Sequence, residues 1–282
     1  MATNGEILLE VKNLRKHYPV TKGFIFQRQV GAVQAVDGLN FFIRKGETLG
    51  LVGESGSGKS TVARCIARLA EADGGRILLG DVDLRPLSRR ELRPYRRRIQ
   101  MVFQDPYGSL NPRRTIGQLI AEGPRVHGVG EREAMEKAAQ LLELVGIDPR
   151  ALGRYPHEFS GGQRQRIGIA RALAVDPEVL VADEPVSALD VSIQAQVLKL
   201  LADIRDRLHL TMLFITHDLR VAAQVCDTIA VMRYGEIVEQ GTTEEVFRNP
   251  RHPYTRELLA AVPGKELGIA APIDGGDVEA PA

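Results

Sequence analysis

An apolar run, Thr48–Val52, leads directly into Gly53-Glu-Ser-Gly-Ser-Gly-Lys-Ser60, and this junction constrains the chain more than any other feature. The loop fits G-x-x-x-x-G-K-[ST], whose backbone N–H groups wrap phosphate oxygens. Beyond it Val62, Ile66 and Leu69 fall at i, i+4 and i+7, so a helix is expected there. A buried strand, a glycine loop and a helix in this order predict an α/β fold with the loop at a strand's carboxyl end. In that setting Lys59 reaches the β- and γ-phosphates and Ser60 holds Mg²⁺. A glycine-rich turn that binds nothing is the plain alternative, and the flanking strand and helix argue against it.

Three further apolar runs also stop at chemically active residues. Ile99–Phe103 stops at Gln104, Val179–Ala182 at Asp183-Glu184, and Thr211–Thr216 at His217. Near-continuous Val/Ile/Leu runs mark strands buried on both faces of a parallel sheet. Such sheets bind ligands at their carboxyl edge, so these distant residues are expected to meet there. Asp183 can hold Mg²⁺ directly or through water. Glu184 can take a proton from an attacking water. Gln104 can orient that water or ligate the metal, and His217 can contact the γ-phosphate. Taken singly, each is an ordinary turn or structural residue. Their common position after a strand sets them apart.

A second glycine pair, Ser160-Gly161-Gly162-Gln163, opens a further predicted helix and offers a second anion-binding helix N-terminus. Two phosphate-binding ends in one chain imply a composite site, completed by another copy or a relative.

Composition narrows the function classes. With 37 Lys+Arg against 36 Asp+Glu, no strong overall field draws the chain to nucleic acid. No apolar run reaches the ~18 residues of a membrane span, and Met1–Glu6 does not read as a secretory leader. Cys65 and Cys226 lie far apart without C-x-x-C spacing, so both are expected to be reduced packing residues. Arg89, Arg90, Arg93, Arg96, Arg97 and Arg98 form a basic run, which reads as a solvated, partly paired face.

Helical stripes fill the intervals between strands. Met135, Ala138, Leu142 and Val145 share a face, with Gly146 as a C-terminal stop. Ile193, Val197, Leu200, Leu201, Ile204 and Leu208 form another stripe. From Thr115 to Phe159 no strand is evident, which indicates a helical insert at about 108–172. Ile7–Val11 and Asn40–Ile43 read as strands around a long loop, an antiparallel patch. Gly264–Ala282 is rich in Gly, Pro and acid and reads as a disordered end.

These motifs resemble those of the ATP-binding subunits of ABC transporters over nearly the whole chain. The resemblance implies a P-loop NTPase fold, with an N-terminal antiparallel β subdomain and an inserted helical subdomain, over residues 1–246. Walker A corresponds to Gly53, Glu54, Ser55, Gly56, Ser57, Gly58, Lys59 and Ser60, with Thr61 following. Gln104 is the Q-loop, Ser160-Gly161-Gly162-Gln163 the signature, and Val179–Asp183 Walker B. Glu184 matches the catalytic glutamate, Ser187-Ala188-Leu189-Asp190 the D-loop, and His217 the switch histidine. Ser60, Gln104 and Asp183 would surround Mg²⁺. Tyr18 stands where the family has an adenine-stacking aromatic, though a strand-end packing role is equally open. Two cassettes would sandwich two ATP molecules, each between one Walker A and the other's signature.

Val102–Pro112, Asn249–Pro263 and the insert Val20–Asp37 resemble the oligopeptide/dipeptide branch, which also holds nickel, glutathione and other small-solute importers. This implies ATP hydrolysis driving import from the cytoplasmic face of the cell membrane. Implied partners are a second ATPase subunit (a sister chain favoured over an identical copy), two permeases and an extracytoplasmic solute-binding protein. Residues 247–264 would form the branch's C-terminal segment and 265–282 the tail. No cysteine follows Cys226, so no iron–sulfur cluster is expected. Two rivals are a soluble cassette ATPase acting on ribosomes or nucleic acid, and a non-enzymatic regulatory subunit. The first usually carries two cassettes per chain; against the second stand Gln104, Glu184 and His217.

Overall fold

The apolar runs become the strands of one six-stranded sheet. The structure is a computed structural model, and it describes residues 5–22, 28–105 and 108–261, without the side chains of 21, 22 and 28–30. In chain order come β1 (Ile7–Lys22), β2 (Arg28–Arg44), β3 (Thr48–Val52), α1 (Lys59–Ile66), β4 (Gly74–Leu79), β5 (Val82–Asp83), α2 (Arg93–Arg98) and β6 (Ile99–Val102). Then follow α3 (Ile116–Val126), α4 (Glu131–Leu144), two short 3₁₀ turns, α5 (Gly161–Leu173), β7 (Val179–Asp183), α6 (Val191–Leu208) and β8 (Thr211–Thr216). The described chain closes with α7 (Leu219–Val225), β9 (Thr228–Arg233), β10 (Glu236–Thr242), α8 (Thr243–Arg248) and α9 (Pro253–Ala260).

The larger sheet runs β10-β9-β3-β8-β7-β6 and is parallel except for β10. Its strands are apolar at nearly every position because alternate side chains feed two different cores. Leu180, Ala182, Met212 and Phe214 face the helices, while Val179, Val181, Leu213 and Ile215 face α1 and the smaller sheet. The smaller sheet, β2-β1-β4-β5, is antiparallel and closes the second core with Leu9, Val11, Ile43 and Ile77.

The insert is helical, as expected. Thr115 caps α3 and shares a reciprocal capping box with Gln118. Along α4 the buried face is Ala134, Ala138, Leu141 and Leu142, and Gly146 ends it with φ +73°. Both cysteines are buried and unpaired; burial pushes the Cys65 thiol up to about 11 and Cys226 up as well. They pack, as their spacing implied.

Three expectations need correction. The long N-terminal loop is strand: β1 and β2 pair as one ribbon, with His17 opposite Gln34 and Tyr18 opposite Val33. Register shifts along β1, as between Val11 and Leu14, interrupt the two-residue alternation that would betray a strand. Leu69 is not on the α1 stripe. Arg68 turns left-handed (φ +54°), the amides of Leu69 and Ala70 both donate to Arg64 O, and Leu69 is 59% exposed. Leu208, in the last turn of α6, also lies outside the core. The tail 265–282 and residues 23–27 of the Val20–Asp37 insert fall outside the described residues.

Phe214 sits fully buried at the centre of β8, against the helical layer. Phe214→Ala is expected to destabilise the chain by about 3–5 kcal/mol, measured by urea unfolding. A change below about 1 kcal/mol would contradict this packing.

Candidate functional site

The loop after β3 wraps its own lysine. Lys59 Nζ donates to Gly53 O and Glu54 O, both at 2.7 Å, and to Ser57 Oγ at 3.3 Å. Gly58 sits at φ +108°, and a Cβ there would lie 1.9 Å from Ala35 O, so only glycine fits between the loop and β2. The lysine is buried, and that burial pulls its ammonium below the ordinary value despite Glu184, Asp183 and Glu54 nearby.

Register assembles the rest. Val52 lies opposite Thr216, Asp183 opposite Ile215, and Val102 opposite Ala182. The residues that follow these strands therefore share one edge. Ser60 Oγ donates to Asp183 Oδ1 at 2.9 Å. Burial pushes the Asp183 carboxyl up, against the lowering effect of that hydrogen bond and of Arg64 and Lys59. Glu184 Oε2 accepts from Gln104 Nε2 at 3.1 Å and lies 3.2 Å from His217 Nδ1. Glu184 also holds a left-handed backbone (φ +46°), a conformation that costs a non-glycine residue about 1–2 kcal/mol. Strain of this kind collects at functional sites.

Beside this edge opens a cleft of about 570 Å³. Ser55, Gly56, Gly58, Lys59, Ser60, Thr61, Gln104 and Glu184 line it, with Tyr18 from β1. Gly53, Glu54 and Ser57 form the lysine's cradle, and Asp183 stands behind Ser60. The Ser60–Asp183 pair suits a hard cation: two oxygen donors touch, and a positive ion would offset the cost of the buried carboxylate. Among the described residues there is no group of three His, Cys, Asp or Glu that could hold a metal ion. The Gln104 amide is turned to Glu184 here.

The signature segment lies elsewhere. Ser160 caps α5 and shares a capping box with Gln163. None of Ser160, Gly161, Gly162 and Gln163 lines the cleft. A Cβ on Gly162 would lie 2.4 Å from Ile193 Cγ2, so glycine permits α5 to approach α6 closely. The D-loop joins the two regions. Ser187 Oγ donates to Glu184 O at 3.2 Å, and Leu189 Cδ2 stands 3.5 Å from the Cβ position of Gly161. Ala188 and Asp190 are exposed.

Two cleft neighbours were not anticipated. Tyr234, in the β9–β10 turn, lines the cleft, and the Tyr254 hydroxyl on α9 accepts from Glu54 N at 3.2 Å. A Tyr-Gly pair between two apolar runs does signal a hairpin. Nothing local indicates that this hairpin borders the loop.

The ABC transporter family profile matches residues 36–187, and the oligopeptide/dipeptide transporter C-terminal region matches 238–273. The chain belongs to the ABC transporter family. The oligopeptide transport ATP-binding protein AppF of Bacillus subtilis is 52% identical over 93% of this chain and 80% of its own length. A putative peptide import ATP-binding protein of Brucella ovis is 49% identical over 98% and 85%. Among solved structures, the dimeric post-hydrolysis state of the ATP-binding cassette MJ0796 bound to ADP and Pi superimposes with a TM-score of 0.74 at 28% identity, covering 84% of this chain and 99% of that one. CbiO1 of Clostridium perfringens, part of the ABC transporter complex cbiONQ, gives the same score at 29% identity, over 86% and 92%. The fold is that of an ABC nucleotide-binding cassette.

Asp183 titrates above its unfolded counterpart, so its ionised form costs stability at neutral pH. That cost disappears once pH falls below the ordinary carboxylate range. Asp183→Asn, which can still accept from Ser60, should therefore raise the nucleotide-free thermal midpoint at pH 7 by about 2–4 °C. The advantage should shrink on acidification. A variant less stable at pH 7 than at pH 4, relative to wild type, would refute the assignment.

Proposed function

We propose that the chain hydrolyses ATP to ADP and phosphate and thereby powers import of oligopeptides or dipeptides. The observation that carries this reading is the shared contact of Gln104 and His217 on Glu184 Oε2, beside the loop that holds Lys59. Lys59 exchanges its carbonyl partners for phosphate oxygens, which removes the penalty on its buried charge. Glu184 accepts the proton of the attacking water, Gln104 orients that water, and His217 meets the γ-phosphate. Ser60 and Asp183 would hold Mg²⁺, which neutralises phosphate charge when bound. The names of the Bacillus and Brucella relatives support the peptide cargo.

None of the signature residues Ser160, Gly161, Gly162 and Gln163 lines this cleft, which supports completion by a second ATPase subunit. Next to the D-loop, Val191 is 82% exposed, a large apolar side chain that a partner subunit would cover. A cargo route must come from other chains, since no described helix is long and apolar enough to cross a membrane. We place two permeases there, with a solute-binding protein beyond them and this subunit on the cytoplasmic face. Their docking face is the groove of about 470 Å³ lined by Met101, Phe103, Leu69 and Val126. The segment 108–113, whose Gly108 and Ser109 line a cavity together with Gln104, carries motion from the γ-phosphate; Tyr107 itself lies outside the described residues.

The ribosome or nucleic-acid reading finds no support. Arg98 forms a two-point ion pair with Glu178, Arg97 donates to Val175 O, and Arg93 donates to Val126 O, so half of the six arginines of the basic run are engaged within the chain.

Glu184→Gln is expected to bind ATP normally, to lose about 10²–10⁴ of turnover, and to accumulate as an ATP-closed dimer in size-exclusion chromatography. Near-normal phosphate release by this variant would remove Glu184 from its role. Asn111→Cys introduces an exposed thiol into a chain whose own cysteines are buried. It should crosslink to the membrane subunits of the purified complex, and crosslinking only from the opposite face would sink the coupling assignment.

A further inference from the structure

The β9–β10 hairpin turns through two residues, Tyr234 and Gly235, both with positive φ (+49° and +89°). Such turns favour Asn-Gly or Asp-Gly, because a bulky side chain is disfavoured in the left-handed region. Here the first position carries a tyrosine that is 79% exposed. Neither backbone preference nor burial accounts for it.

Its surroundings do. Gly235 N donates to Ser57 O of the phosphate loop at 3.0 Å, and Gly235 O accepts from Asp37 N at 3.0 Å. The turn is thus pinned between the loop and β2. Tyr234 consequently lines the same cleft as Tyr18, whose cross-strand partner is Val33. The Arg233 guanidinium lies between two rings, 5.0 Å from the centroid of Tyr234 and 4.4 Å from that of Tyr254. Arg233 Nε is buried without a hydrogen-bond partner, so ring contact is what the structure offers that group. Tyr254, only 2% exposed, is fixed in turn by its bond from Glu54 N. A strained, solvent-facing aromatic is backed by a cation and held at the mouth of a phosphate-binding cleft.

We propose that Tyr234 is a second base-stacking residue, packing on the nucleobase of the bound nucleoside triphosphate alongside Tyr18. This rests on the nucleotide reading of the cleft given above. Stacking on an aromatic face tolerates any base and gains with ring area, so the site favours purine nucleoside triphosphates over bare polyphosphate.

The purified full chain and its variants are titrated with ATP and with inorganic tripolyphosphate. Tyr234→Asn relieves the turn, so its thermal midpoint should equal or exceed that of wild type. Its ATP affinity should nonetheless fall about tenfold, with tripolyphosphate affinity unchanged, and Tyr234→Phe should keep wild-type affinity. The chain contains no tryptophan, so Tyr234→Trp supplies a single tryptophan, selectively excited at the red edge, whose emission ATP should quench and tripolyphosphate should not. Unchanged ATP affinity in Tyr234→Asn overturns the proposal and leaves the turn as a partner contact. Equal losses for ATP and tripolyphosphate overturn it in favour of a role through the loop. A wild-type chain that binds no ATP overturns the nucleotide reading itself, and this inference with it.

Discussion

Parallel pairing of β3, β8 and β7 is the constraint on which everything else here rests. Hydrogen-bonded register puts Val52 beside Thr216 and Asp183 beside Ile215. The phosphate loop, His217 and Glu184 must then emerge at one edge, although they are far apart along the chain. The Ser60–Asp183 hydrogen bond and the Glu184–His217 contact follow from that register. A slip of one residue would send every side chain of a strand to the other core. Because both faces are packed, with alternate residues in separate cores, such a slip is heavily penalised.

The same edge is held against its own stability. Burial disfavours the charge on Lys59 and on Asp183, and Glu184 carries a left-handed backbone. These costs are borne by two well-filled cores. A bound nucleotide with its cation, as proposed, would relieve both charge penalties at once, so the residues are held ready for it before it arrives. Tyr234 follows the same logic at the rim, where an awkward turn residue contributes an aromatic face to the cleft.

Legibility differed sharply along the chain. The four strands of the site were readable because burial on both faces makes each run apolar throughout, and each stops at a polar residue. Helix α4 was readable down to its Gly146 stop. The β1–β2 ribbon was not, since its register shifts scramble the alternation by which strands are recognised. Leu69 and Leu208 matched helical spacing yet lie outside the core, because periodicity does not report where a helix ends or what covers it. The links from Tyr254 to Glu54 and from Gly235 to Ser57 join residues some two hundred positions apart, and no local pattern encodes them.

Residue types and spacing alone determine a glycine-rich loop between strand and helix, a set of polar residues that each follow a strand, and a second glycine pair capping a helix. They do so because each of these is a local pattern: a loop conformation, an alternation, a cap. That Gln104 and His217 converge on one oxygen of Glu184, that the signature residues do not line the cleft, and that an exposed tyrosine lies against the loop are properties of the folded chain. They depend on which strands become neighbours and in what register, and long-range packing settles that.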